Sequence, residues 1–240
     1  MFDSYLHPRM KPALNRLVGV LDKPTVTPDG LTLFGFGIGV LALPFLALQW
    51  YGAALVAILL NRLFDGLDGA LARRRGLTDA GGFLDIALDF LFYALVPFGF
   101  ILADPAQNAV AGGWLLFAFI GTGSSFLAFA AVAQKHKLDN PGYAHKSFYY
   151  LGGLTEGTET IALFVLACLL PNAFVWLAWI FGGLCWMTTL TRVWSGYQTL
   201  KKAAGQAGTA GREPRPEYFN YRLLQERETT RRERNLKRDE

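Results

Sequence analysis

The sequence predicts an all-α membrane protein with six transmembrane helices and an N-terminal amphipathic surface helix. Two features of its composition support this fold class: 52% of the residues are hydrophobic and only 18% are charged. The third feature is that apolar residues are grouped in long segments, and a helix needs about 20 mostly apolar residues to cross a bilayer. An ordinary water-soluble domain does not fit this pattern.

Six apolar segments are long enough to span a membrane. Pro28 precedes the first, and Pro105 and Pro171 fall between later ones, where proline interrupts helices. The second and third segments qualify only if their aspartates are tolerated. The predicted spans are 31–49, 52–72, 82–103, 110–133, 148–170 and 173–195.

Basic residues mark alternate connections between the spans. Lys and Arg occur before the first span and in the connections near 73–75 and 135–146, but not near 49–51, 104–109 or 170–173. Because cytoplasmic loops are enriched in Lys and Arg, both termini are expected in the cytoplasm. The net charge of +4 comes with a distribution in which 11 of the 23 Lys and Arg lie in the last 40 residues and the others at the ends of apolar segments. It predicts no nucleic-acid partner.

The predicted organisation has three parts. Residues 1–23 form a juxtamembrane amphipathic helix, 24–200 the six-helix transmembrane domain, and 201–240 a charged cytoplasmic tail that is helical or disordered. The apolar face of the first helix comprises Leu6, Met10, Leu14, Leu17 and Leu21.

Four aspartates interrupt the second and third spans. Asp65 and Asp68 share one helical face, and Asp85 and Asp89 lie one turn apart on the next helix. A carboxylate in hydrocarbon costs at least about 2.5–3.5 kcal/mol. If the connection 74–80 makes the two helices antiparallel neighbours, the acidic faces meet near their cytoplasmic ends and require a cation.

The neighbouring residues indicate which ligand accompanies that cation. Carboxylate oxygens suit Mg²⁺, Mn²⁺ or Ca²⁺. Gly69, Ala72 and Gly81 remove bulk from the same surface, and Arg73 offers a fork suited to phosphate oxygens. These features indicate a nucleotide-diphosphate site. The alternative is ordinary helix packing with an Asp–Arg pair, but one arginine cannot neutralise four acids.

The motif resembles that of the CDP-alcohol phosphatidyltransferase family (class I). The family pattern is D-x-x-D-G-x-x-A-R, seven residues, then G-x-x-x-D-x-x-x-D. It is matched without a gap by Asp65, Asp68, Gly69, Ala72, Arg73, Gly81, Asp85 and Asp89. The resemblance implies the CDP-alcohol phosphotransferase fold and covers the chain except for the charged tail.

The resemblance also implies a reaction. Family members move a phosphatidyl or similar group from a CDP-linked lipid donor, such as CDP-diacylglycerol, to an alcohol acceptor and release CMP. It implies a phospholipid-synthesising enzyme of the bacterial inner membrane that uses Mg²⁺ or Mn²⁺, with two ions expected. The expected partners are the donor, the acceptor and the lipid bilayer, and a homodimer is left open.

Residue roles follow from the same resemblance. It implies metal binding by Asp65, Asp68, Asp85 and Asp89, with Asp89 also the catalytic base. It implies donor binding by Asp68, Gly69, Ala72, Arg73 and Gly81.

One position departs from the commonest family pattern. Many members have T-P-N-x-L-T before the first span, whereas this chain reads TPDGLT with Asp29 in place of Asn. Asp29 either alters donor binding or, together with Thr27, caps the first helix.

The acceptor cannot be identified from the sequence. Glu156 and Glu159, early in the fifth span, could bind an amine or polyol, or pair with Arg192; they could equally lie in the membrane interface. A phosphorylated acceptor would need basic residues near Asp89, although Arg62 could instead be a structural counter-ion. The candidate basic residues are Arg62, Lys135, Lys146 and Arg192.

Two other classes of function remain as alternatives. Intramembrane acids also occur in proton or cation transporters. The chain shows no repeat of the aspartate pattern in its second half, which argues against an inverted-repeat transporter. A catalytically silent family relative is the second alternative, against which the complete motif argues.

Overall fold

A computed structural model describes residues 12, 14–19, 22–135 and 154–209. Over these residues the chain forms helices and no strand, which confirms the all-helical prediction for this part. The helices with defined ends are α1 (Pro28–Val40), α2 (Ala42–Ala47), α3 (Tyr51–Arg75), α4 (Asp79–Ala103), α5 (Pro105–Lys135), α6 (Gly157–Leu169), a 3₁₀ turn (Pro171–Ala173) and α7 (Phe174–Thr209).

Four helical segments of the described chain are long and apolar enough to cross a membrane. These are Pro28–Ala47, Asp79–Ala103, Pro105–Ala133 and Pro171–Lys202. With 25 residues α3 is also long enough to span, but it carries two aspartates and four arginines, whereas α6 has only 13 residues. The count of six spans therefore stays a prediction.

Three predicted spans differ from the helices in their bounds. The first is divided at Leu41, because Pro44 has no N–H to donate to the carbonyl of Val40. The fifth was expected from residue 148, yet 154–156 are not helical; residues 148–153 lie outside the described part. The sixth continues to Thr209, beyond its predicted end at 195.

Close helix contacts position the acidic residues. A Cβ at Gly35 of α1 would lie 2.6 Å from the Cβ of Phe64 on α3, and one at Gly39 would lie 2.9 Å from Asn61 Nδ2. Glycine is therefore what allows α1 to approach α3. Larger apolar side chains form the core deeper in the bundle: Leu46, Ile58, Phe92, Phe100, Leu115 and Phe164.

The N-terminal segment packs where it is described. Residues 14–19 are helical, Val18 is buried, and Leu14 lies 3.3 Å from where a Cβ of Gly66 would be. Leu17 is 47% exposed. Leu6, Met10 and Leu21 lie outside the described residues, so the full helix over 1–23 stays a prediction.

Large apolar side chains also cover the outside of the bundle. Such a surface is expected of a helix bundle whose outer face contacts lipid. Exposed examples are Phe34, Leu59, Phe83, Ile120, Trp176 and Ile180.

Candidate functional site

Helices α1, α3 and α4 line a narrow cleft that is open to the outside. All four predicted aspartates line it, which confirms that the acidic faces of α3 and α4 meet. The lining residues are Thr32, Gly35, Phe36, Asn61, Arg62, Asp65, Asp68, Asp85, Leu88 and Asp89.

Three of the four carboxylates converge on one point. One oxygen from each of Asp65, Asp68 and Asp85 lies within 4.8 Å of the other two. Asp68 is only 4% exposed, and its Oδ2 has no hydrogen-bond partner among the described residues. A buried carboxylate oxygen without a donor is costly unless a ligand completes it. The donor set, oxygen atoms only, fits Mg²⁺ or Mn²⁺.

The fourth carboxylate is held by an arginine. Arg62 Nη2 donates to Asp89 Oδ1 at 2.6 Å and lies 2.8 Å from Asp65 Oδ1. Arg62 Nη1 donates to the hydroxyl of Tyr93 at 3.1 Å. Of the two sequence interpretations of Arg62, the ion pairs support the counter-ion.

The small residues of the motif lie on α3 and at the start of α4. Gly81 is half-buried, and its amide donates to the N-cap side chain of Thr78 at 3.0 Å. A Cβ at Gly81 would lie 3.0 Å from Asp29 Oδ1, so the beginnings of α1 and α4 are adjacent. Gly69 lies beside Arg73, whose Nη1 would be 3.3 Å from an added Cβ, while Ala72 is half-buried.

The N-terminus of α1 tests the capping role given to Thr27 and Asp29, and the effect of Asp29 on donor binding stays a prediction. Thr27 is the N-cap, and its hydroxyl accepts from the amide of Gly30 at 3.1 Å. The capping interpretation is confirmed for Thr27 and wrong for Asp29, which lies in the first helical turn, where a carboxylate interacts favourably with the helix dipole. Asp29 therefore does not cap α1, and its carboxylate lies beside Gly81.

The predicted acceptor residues lie elsewhere on the described chain and do not line the cleft. Glu156 is the N-cap of α6 and forms a capping box with Glu159, whose Oε2 accepts from the Glu156 amide at 3.1 Å. Buried Arg192 donates to the carbonyl of Thr122 at 3.3 Å and stacks over Phe126. These contacts do not test acceptor binding.

Sequence reasoning missed two polar residues of the cleft. Thr32 belongs to α1, whose close approach to α3 could have been inferred from the G-x-x-x-G spacing of Gly35 and Gly39. Asn61 is buried, donates from Nδ2 to the carbonyl of Gly35 at 3.1 Å, and precedes Asp65 by one turn. The i, i+4 spacing to Asp65 could have identified Asn61.

Comparison with curated proteins gives relatives in bacteria and archaea. The chain is 81% identical over 206 residues to the inner membrane protein YnjF of Escherichia coli (strain K12), covering 86% of this chain and all of that one. It is 38% identical over 100 residues to the archaetidylinositol phosphate synthase of Pyrococcus horikoshii, covering 41% of this chain and 53% of the relative.

Two solved structures of one mycobacterial protein share the fold. Both are of Mycobacterium tuberculosis phosphatidylinositol phosphate synthase, at 22% identity and covering 77% of this chain. The complex with manganese and citrate has a TM-score of 0.62 and 88% of its chain covered. The complex with CDP-DAG has a TM-score of 0.58 and 93% covered.

The family is shown by a match over most of the chain. Residues 25–194 match the CDP-alcohol phosphatidyltransferase model, a range that contains α1 to α6, the start of α7 and all eight motif residues. The chain belongs to the CDP-alcohol phosphatidyltransferase family.

Proposed function

We propose that the chain moves a phosphatidyl group from a CDP-linked lipid to an alcohol and releases CMP. The observation that carries this proposal is the convergence of Asp65, Asp68 and Asp85, together with a buried Asp68 oxygen that has no hydrogen-bond partner among the described residues. The CDP-DAG bound by the mycobacterial synthase of the same fold supports CDP-diacylglycerol as the donor.

In this proposal a divalent cation is held by Asp65, Asp68 and Asp85, with Asp89 lining the same cleft. When bound, the cation neutralises charge that develops on the diphosphate. Manganese in the related structure supports Mg²⁺ or Mn²⁺ as the ion. The chain's own small residues then leave room for the donor: Gly69, Ala72 and Gly81 remove side-chain bulk, and Arg73 binds phosphate oxygens.

Asp89 accepts the proton of the acceptor hydroxyl. A hydroxyl is weakly acidic, so a carboxylate at hydrogen-bond distance helps it attack. One oxygen of Asp89 is paired with Arg62. The other can accept the proton while the hydroxyl attacks the phosphorus directly.

The assignment of acceptor binding to Glu156, Glu159 and Arg192 stays a prediction. The capping box supports a structural task for the two glutamates. The name of the E. coli relative supports placement in the bacterial inner membrane, and the basic connections support cytoplasmic termini.

A product assay tests the proposal. Purified protein is incubated with CDP-diacylglycerol, Mg²⁺ and a panel of free and phosphorylated alcohols, and the lipid product and CMP are measured by mass spectrometry. We expect one acceptor to give equal amounts of both. Cation flux in sealed vesicles without CDP-lipid would instead favour a transporter, and failure of every donor and acceptor would favour a silent relative.

A further inference from the structure

Arg75, the last residue of α3, binds a tight turn that precedes α1. The carbonyl of Lys23 accepts from the amide of Val26 at 3.0 Å, which closes this turn. Arg75 Nη2 donates to the same Lys23 carbonyl at 2.8 Å, and Nη1 donates to the carbonyl of Val26. The guanidinium therefore joins the first and last residues of the turn to the end of α3.

The same guanidinium also binds the residue before the turn. Its Nε and Nη2 donate to Asp22 Oδ1 at 2.9 Å and 2.6 Å. The N–H donors of a guanidinium have fixed directions, and a lysine ammonium cannot reproduce this arrangement. The neighbouring Arg74 has a much looser contact, because its Nη1 lies 3.6 Å from Asp22 Oδ2. Arg75 is thus the residue that fixes segment 22–26 on α3.

Apolar packing brings the same parts of the chain together. Leu31 of α1 is buried with Leu67 and Leu71 of α3, and Val26 packs against this cluster. Hydrophobic contacts favour association but have no preferred direction. The directed hydrogen bonds of Arg75 therefore determine where the turn lies on this apolar surface.

The segment that Arg75 binds leads directly into the first turn of α1. Thr27 caps this helix, and Asp29 Oδ1 lies 3.0 Å from a Cβ built on Gly81, on the surface proposed for the donor. Thr32, in the next turn of α1, lines the cleft. A shift of the turn would therefore move one wall of the donor site relative to α4.

We propose that Arg75 is a positioning residue for the CDP-linked donor. It fixes the turn 22–26 and thereby holds the start of α1 beside Gly81. Arg75 is not among the residues that line the cleft, so it acts through the turn. This inference rests on the proposed function and adds a residue outside the eight-residue motif.

Equilibrium binding of radiolabelled CDP-diacylglycerol to the full-length protein in detergent, with Mn²⁺ present, tests the inference. We expect Arg75→Gln to raise the donor Kd about tenfold, because the start of α1 is no longer fixed beside the donor. The Kd for Mn²⁺ alone should stay within about twofold, because the converging aspartates lie on α3 and α4. A general loss of the fold would weaken both.

Two further variants separate the geometry of Arg75 from its charge. Arg74→Gln removes the same charge from the adjacent residue and should leave the donor Kd within about twofold. Arg75→Lys keeps the charge but loses the fixed donors, so it should weaken donor binding almost as much as Arg75→Gln. Equal losses in Arg74→Gln and Arg75→Gln, with normal binding in Arg75→Lys, would show attraction by charge alone and overturn the inference.

Hydrogen exchange measured by mass spectrometry follows the turn without any ligand. In Arg75→Gln the amides of residues 22–31 should exchange about tenfold faster, while those of α6 stay unchanged. Unchanged exchange in 22–31, or an unchanged donor Kd, would overturn the inference.

Should Arg75→Gln fail to fold, Asp22→Ala decides. This variant keeps both carbonyl contacts of Arg75, so we expect the donor Kd to rise about threefold, and no rise would overturn the inference. A wild type that binds no CDP-diacylglycerol would contradict the proposed function and the inference together. Equal donor binding by the wild type and Arg75→Gln would contradict the inference alone.

Discussion

Two groups of acidic residues interrupt the apolar helices, and their surroundings differ. The glutamates at the start of α6 have backbone donors: Glu156 and Glu159 form a reciprocal capping box. The aspartates of the cleft lie within α3 and α4, where the backbone amides are already used by the helix. Asp68 accordingly has a buried oxygen without a partner among the described residues. A buried carboxylate oxygen that no described donor reaches, such as this one, therefore indicates a ligand site.

The largest difference in activity is expected between two variants, in each of which one acid of one group is replaced by its isosteric amide. Asp85→Asn should lower CMP release by about a hundredfold or more, because the cleft loses a charge on which the cation depends. Glu159→Gln should retain most activity, since an amide oxygen can still accept from the Glu156 amide. CMP release from CDP-diacylglycerol measures both. Equal losses in the two variants would remove the distinction between the groups.

A smaller effect is expected from an alanine substitution at Gly81, the first of two adjacent glycines at the start of α4. Gly81→Ala places a Cβ 3.0 Å from Asp29 Oδ1 and Thr78 Oγ1, on the surface proposed for the donor. We expect the KM for the CDP-lipid to rise about tenfold, which corresponds to about 1.4 kcal/mol.

Gly82→Ala is the matched control, because nothing lies within 4 Å of its added Cβ. This variant should keep the wild-type KM and gain about 0.5–1 kcal/mol in stability from the better helix former. A similar KM in both alanine variants would place the donor away from Gly81.

The smallest effect concerns the stability of α6. Glu159→Ala should lower the free energy of unfolding by about 1 kcal/mol, because the capping box loses one of its two bonds. Glu159→Gln should lose less than half of that. Unfolding in denaturant measures the difference. If Glu159→Gln instead raises the KM for the acceptor alone, the predicted acceptor role of Glu159 is supported.

Local spacing predicted the acidic cleft, whereas the packing of helices against each other decided which other residues line it. The i, i+3 and i, i+4 spacing of the aspartates and the short connection after α3 were sufficient to bring Asp65, Asp68 and Asp85 together. Thr32 was missed because its place in the cleft depends on the packing of α1 against α3, which the spacing of residues within α3 and α4 does not specify. Asn61 could have been found from its i, i+4 spacing to Asp65.

Other differences have equally local causes. Pro44 divides the first predicted span at Leu41, and Thr27 takes the capping role that the sequence had offered equally to Asp29. For the glutamates, the E-x-x-E spacing before an apolar run could have been interpreted as a capping box. Both sequence interpretations of the pair, as buried acids and as residues of the membrane interface, overlooked the backbone as their partner.

Thermal unfolding with added Mn²⁺ tests most directly whether the aspartate cleft, and not the glutamate pair, binds the cation. At an ion concentration of about 100 times Kd, binding should stabilise the wild type by about 2.7 kcal/mol and raise Tm by about 5 °C or more. Glu159→Gln should show the same rise, and Asp68→Asn should show little. A rise in Asp68→Asn equal to that of the wild type would contradict the assignment of the cleft as the metal site.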